Sequence, residues 1–337
     1  MIFDPSLDVL EEDIFAYDPK LLDCLLTDRT TKKHIIWATD DYQKYGEEFC
    51  GNKEITADLV TGEYSRLIRP RITKSFEEQD SRTKDRAEVF TPCWVCNEQN
   101  NLVDHQWFGR RNVFNIPLDK TWMVTSDKVQ FPEKGKYTWK KYVDAKRLEI
   151  SCGEAPYLVS RYDSTTGEKI DVHSRIGLLD RKLRVVGENT DTKEEWYKWA
   201  LRAFQSVYGY EYQGDNLLLA RENLFMTFIE YYQDKFDDNP TSRELMTIAR
   251  TISWNIWQMD GMKYVVPNSC KPLRHEDITL FGTIVNEEPC PGCKKGNIHE
   301  HTGIYSKVFD WRENASLPFI FIGNCETPQK STEYSKY

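Results

Sequence analysis

Between Lys146 and Asn255 the chain alternates short strand-type runs with long helix-period runs, and that order admits few architectures. Lys146-Arg-Leu-Glu-Ile-Ser-Cys-Gly153 reads as a short strand ending in a glycine turn, and Ala155 to Tyr162 opens a helix or a looser segment. Glu194 to Val207 is helical in period through Trp196, Trp199, Ala200, Ala203 and Phe204. Val207 to Gln213 reads as a second strand, Asp215 as a cap, and Asn216 to Tyr232 as a strong helix, with Ser242 to Trp254 as another capped helix. Strand alternating with helix predicts an α/β, Rossmann-like doubly wound sheet. Such sheets bind ligands at the carboxyl ends of their strands, where a glycine admits close backbone approach and an acid takes ribose hydroxyls. Gly153 and Glu211, with Asp215 just behind, fall at those places. Glu211 lies much farther on than the roughly 20 residues of a dinucleotide fingerprint, and further glycines are missing, so a plain NAD site is disfavoured.

Residues 1–60 read as an acidic, mostly helical lead-in broken by Pro5 and Pro19, followed by a polar linker from Lys74 to Arg86. Pro92 fits the first position of a helix behind Thr91 as cap, which puts Trp94, Val95, Gln99 and Leu102 on that helix. The expected partition is a helical region over 1–86, a main domain over 87–268 with a basic insertion at 107–147, and a Cys/His region over 269–337. Ten Trp, 16 Phe and 18 Tyr supply a folded core. No apolar run approaches the roughly 20 residues of a membrane helix, so the cytoplasm is the expected compartment and no membrane partner is expected. The net charge of −9 argues against a generally basic nucleic-acid binder, yet Trp107 to Arg147 holds ten Lys and Arg against four acids. That segment is either a solvated loop region or a phosphate-contacting surface.

Four boxes carry a family resemblance. Ala87-Glu-Val-Phe-Thr-Pro-Cys-Trp-Val95 resembles the Phe-Thr-Pro box of adenine-N6 DNA methyltransferases of restriction-modification systems, and Glu149-Ile-Ser-Cys-Gly-Glu-Ala155 resembles their Asp-Pro-Ala-Cys-Gly-Ser-Gly turn. Tyr208 to Leu224 resembles their Gly-x-Glu strand with Leu-Ala-x-x-Asn-Leu, and Asn255 to Gly261 their Asn-x-x-x-x-Asp segment. The whole looks like short bacterial proteins labelled restriction endonuclease subunit M. The resemblance implies a site for S-adenosylmethionine (SAM), with Phe90, Thr91 and Pro92 beside its methionine part and Glu149, Cys152, Gly153 and Glu154 at the turn. It further implies Glu211 on the ribose hydroxyls, Asp260 on the adenine amino group, and DNA as a partner, the basic insertion being where DNA lies. Glu149 stands where the family has aspartate and Ala155 where it has a second glycine. No Asn-Pro-Pro-Tyr occurs; the nearest candidate for the catalytic amide is Asn324. Two functions remain open: a DNA adenine methyltransferase of a restriction-modification or phage-defence system, or a non-catalytic DNA-binding or partner-docking subunit whose catalytic motif is lost or comes from another chain.

Nine cysteines, an odd number in a chain of this type, suggest reduced thiols or a metal site. Cys290-Pro-Gly-Cys293 with His299 and His301 has the spacing of a structural zinc site, Cys270 being in reserve; a metal-free reduced turn and a redox pair are the alternatives. Two histidines one residue apart cannot easily share one tetrahedral ion from an extended strand. Cys93 and Cys96 read as small buried side chains at a helix start.

Overall fold

A computed structural model describes residues 8–75, 91–279 and 282–322. It is a mixed helix and sheet protein built round three parallel strands, β3 (Arg147–Glu149), β4 (Val207–Glu211) and β5 (Ile256–Gln258), in that spatial order. β1 (Asn115–Leu118) and β2 (Thr121–Val124) form a separate hairpin ahead of them. The β3 to β4 connection carries helices α5 (Leu178–Asn189) and α6 (Lys193–Phe204), and the β4 to β5 connection carries α7 (Gly214–Phe236) and α8 (Ser242–Asn255). β3, β4, α6, α7 and α8 fall where the alternation places them, α5 and β5 lie in stretches without an expected element, and Ala155 to Tyr162 takes the looser of its two expected forms.

Helix α7 is buried at every position from Gly214 to Ile229, as expected of a helix without a continuous polar face. Burial forces its polar side chains to find partners. Arg221 donates to the carbonyls of Leu25 and Thr27, of Ser253 at 3.3 Å and of Ile256 at 2.8 Å, so one guanidinium joins the amino-terminal segment, α8 and β5. Burial lowers its pKa to about 10. Helix α8 begins in a reciprocal capping box between Thr241 and Glu244, one residue ahead of the expected cap. Asp215 is not a cap: Gln213 holds that position, and the Asp215 carboxylate accepts from Tyr42 Oη at 2.8 Å and pairs with Lys74 at 3.4 Å.

The lead-in is less helical than its composition suggests. Among its described residues α1 (Glu11–Tyr17) and α2 (Pro19–Leu26) are the α-helices; residues 27–75 run through short 3-10 turns and isolated bridges. Leu21, Leu22, Ile35, Trp37 and Ile55 nonetheless share one hydrophobic cluster with Phe204, Leu217, Phe228 and Ile256. A smaller cluster of Tyr210, Trp257, Met259 and Val308 lies beneath the hairpin of β8 (Lys307–Asp310) and β9 (Ala315–Pro318). Helix α3 (Cys93–Phe108) starts with Pro92 at the cap position and Asp163 accepting from Cys93 N at 2.8 Å, so Asp163 does the capping assigned to Thr91. Cys93 and Cys96 are both buried, as expected of them. The basic insertion forms the β1–β2 hairpin and α4 (Trp139–Asp144), with Arg111, Lys120, Lys128, Lys134, Lys136 and Lys141 exposed. Among the described residues no helix is long and apolar enough to cross a membrane.

Glu11 and Glu222 are fully buried, and none of their carboxylate oxygens has a hydrogen-bond partner. Burial, followed by their mutual repulsion for Glu222, drives its pKa well above the ordinary carboxyl value. A group whose folded pKa is raised contributes fully below its unfolded pKa and loses that contribution as pH rises. Glu222→Met is therefore expected to stabilise the chain by about 1–3 kcal/mol, the cost of an unsatisfied buried polar group. Thermal melts should show a larger gain at pH 8 than at pH 5.

Candidate functional site

The glycine turn after β3 continues the sheet, since Cys152 N donates to Tyr210 O at 2.8 Å. It then reverses through three left-handed residues, Ser151 (φ 47°), Gly153 (φ 52°) and Ala155 (φ 63°). Only the middle one lacks a Cβ, and each residue with a Cβ in this region costs roughly 1–2 kcal/mol. Three buried acids hold the turn in that form. Glu149 accepts from Tyr157 N at 3.3 Å and Leu158 N at 3.1 Å. Glu211 accepts from Gly153 N at 2.9 Å and Gln213 N at 3.1 Å. Glu154 accepts from Arg71 N at 2.7 Å and Tyr162 Oη at 2.6 Å. Their exposures are 8%, 7% and 3%. Burial pushes Glu149 up to about 8 and raises Glu211, against the backbone N–H bonds that favour the ionised forms.

The side chains assigned to this site do different work. Cys152 is buried in the main core, next to Gly209, and helps to pack the turn. Glu149 and Glu154 tie the turn to residues 157–162 and 71. Glu211 stands at the carboxyl end of β4, buried, and its carboxylate accepts from Gly153 N and Gln213 N, with the backbone of Tyr212 also favouring its ionised form. Asp260 lies two residues beyond β5, accepts from Met262 N at 3.0 Å and pairs with Lys263 at 3.0 Å. Thr91 O accepts from Ser164 Oγ at 3.1 Å ahead of Pro92 and α3. Phe90 and Asn324 lie outside the described residues.

The lead-in, read from sequence as packing without chemistry, borders the same strand ends. Gln258 of β5 exchanges hydrogen bonds with Ile36 N at 2.9 Å and Ile36 O at 2.7 Å, and Gly214 N reaches Trp37 O at 3.2 Å. No periodicity announces such contacts, because they are made by backbone groups of an irregular segment.

A second constellation lies farther along. Cys270, Cys290, Cys293 and His301 each offer one donor atom, all within 4.8 Å of one another, and this group could hold a metal ion such as zinc. The Sγ atoms of Cys270, Cys290 and Cys293 lie 3.6, 3.7 and 3.6 Å from His301 Nδ1. Zinc bond lengths at a tetrahedral angle put sulfur and nitrogen ligands about 3.5 Å apart. Cys290 caps the short helix α9 (Pro291–Lys295), which turns Cys293 back toward it, and Gly292 is required because a Cβ there would come within 2.6 Å of His301 N. Burial works to raise the Cys290 thiol, but hydrogen bonds from Thr302, Cys293 and His301 outweigh it and hold the pKa at about 5, whereas burial lifts Cys270 to about 12. Cys270 takes the place expected of His299, whose backbone N is bound to Asn297 Oδ1 at 3.0 Å and whose side chain is outside the cluster. The sequence names Cys270 as a reserve ligand; only the structure brings it to the cluster, at the start of a hairpin that returns to Cys290.

No family model, curated protein or solved structure matches the chain. The chemistry of its own side chains therefore carries the functional reading.

Glu149 yields a pH test. Its folded pKa of about 8 exceeds the ordinary carboxyl value, so its contribution is complete below the unfolded pKa and is lost as pH rises toward and past 8. The melting temperature should fall between about pH 5 and pH 8.5. Glu149→Gln, which keeps one acceptor oxygen, should flatten that fall; an unchanged slope would remove Glu149 as its source.

Proposed function

We propose that the chain binds SAM at the carboxyl ends of β3, β4 and β5 and works as an adenine-N6 DNA methyltransferase-like protein of a restriction-modification or phage-defence system. The observation that supports this most is the convergence on one sheet end of a left-handed glycine turn, the carboxylate of Glu211 and, beyond the next parallel strand, Asp260. In this reading the three strands are one half of a Rossmann-like sheet. Glu211 takes the ribose hydroxyls through charge-assisted hydrogen bonds, Asp260 takes the adenine amino group, and Thr91 and Pro92 border the methionine end. Exposed cations of the 107–147 insertion contact DNA phosphates. The 337 residues contain no Asn-Pro-Pro-Tyr, which favours a second reading: a subunit that binds DNA and cofactor while another chain supplies the catalytic amide.

Calorimetric titration with SAM tests the cofactor claim. Binding should weaken about 10- to 100-fold in Glu211→Gln, the loss of one or two hydrogen bonds to a charged group. Absence of heat at millimolar SAM would sink the claim; binding without methyl transfer to DNA would select the subunit reading. DNA affinity should fall with salt, and Arg111→Ala or Lys136→Ala should each lower the log–log slope by about 1. A salt-independent affinity would remove the insertion from the interface.

A further inference from the structure

We infer that one Zn²⁺, held by the Sγ atoms of Cys270, Cys290 and Cys293 and by Nδ1 of His301, is the core around which residues 268–305 fold, and that it fixes this segment beside Asp260. Among its described residues the segment shows no apolar core of its own: from 268 to 305 those buried are Cys290 and Gly292. Its hairpin, β6 (Leu273–Thr279) and β7 (Gly282–Glu288), leaves from Cys270 and returns to Cys290. Small regions that cannot bury enough apolar surface rely on a metal or disulfide staple, and among the described residues every cysteine is a free thiol. Three sulfur-to-nitrogen separations of 3.6–3.7 Å, already at the spacing of a tetrahedral zinc shell, identify the staple as the metal.

The surroundings fit a closed, structural ion. Four protein ligands leave no open position for water or substrate. Thr302 N donates to Cys290 Sγ at 3.2 Å, and Tyr305 Oη accepts from His301 N at 3.1 Å, so the loop that carries the histidine is oriented by bonds around the ligands. Three thiolates and Zn²⁺ carry one net negative charge, their protons passing to solvent on binding. Lys263 stands in the field of Cys293 and Cys270 while pairing with Asp260 at 3.0 Å. Two backbone bridges complete the link: Asp260 pairs with Val265, and Val265 with Tyr305, four residues past the histidine ligand. The ion thus closes a loop that begins and ends at the carboxyl end of β5. Zinc binding itself does not depend on the cofactor reading.

The full-length chain, purified under reducing conditions and supplied with Zn²⁺ alone, should hold one zinc per chain by elemental analysis. Cobalt in its place should show the intense visible bands of a tetrahedral thiolate site. Cys270→Ser should lose the zinc, whereas His299→Ala should keep it. Removing the ion with a chelator should speed amide exchange across 268–305 roughly tenfold or more while β3, β4 and β5 stay protected. A chain that takes up no zinc, retention by Cys270→Ser with loss from His299→Ala, or unchanged exchange after chelation would overturn the inference.

Discussion

The candidate cofactor site depends on carboxylates buried where backbone N–H groups need acceptors. Glu149, Glu154 and Glu211 take five N–H groups and one tyrosine hydroxyl around a turn that would otherwise bear the strain of Ser151 and Ala155 in the left-handed region. Desolvation raises the carboxyl pKa values of Glu149 and Glu211 and the N–H bonds lower them, so these two acids are both anchors and sources of pH sensitivity.

The rest of the framework serves to hold those strand ends in place. Arg221 binds four carbonyls from three parts of the chain, and Gln258 binds the lead-in to β5, so irregular backbone is fixed by side-chain hydrogen bonds where no strand partner exists. Residues 268–305 use another device. Among those described they bury little apolar surface and gather three thiols and an imidazole instead.

Legibility followed the range of the interaction. The helices in 194–207 and 242–254 were readable because each buries a face, that in 216–232 because a long apolar run of helix formers has no strand alternative, and the strand at 207–211 because it sits between them. Cys290, Cys293 and His301 were readable because a Cys-x2-Cys knuckle is local. The exclusion of His299 and the inclusion of Cys270 were not, because they depend on how segments 266–271 and 301–306 lie against each other. Val266 N donates to Ile304 O at 2.8 Å and Lys271 N to Thr302 Oγ1 at 3.1 Å there. The capping role of Thr91 failed for a similar reason, since Asp163, far along the chain, accepts from Cys93 N; Asp215 is no cap because its helix already begins at Gly214, which leaves its carboxylate to Tyr42 and Lys74.

Local sequence was enough for the order of β3, α6, β4, α7 and α8, the glycine turn after β3, the acid at the end of β4 and the pair of thiols in one knuckle. Each is set by spacing along one stretch of chain and by the faces that stretch must bury. Tertiary structure alone decided that the lead-in joins the main core and borders the strand ends, that Glu149 and Glu154 bind backbone rather than stand open, and that Cys270 completes a four-donor cluster with His301. Those outcomes come from contacts between residues far apart in sequence, where acceptors find donors and thiols find a common centre only once the parallel strands have brought their loops to one end.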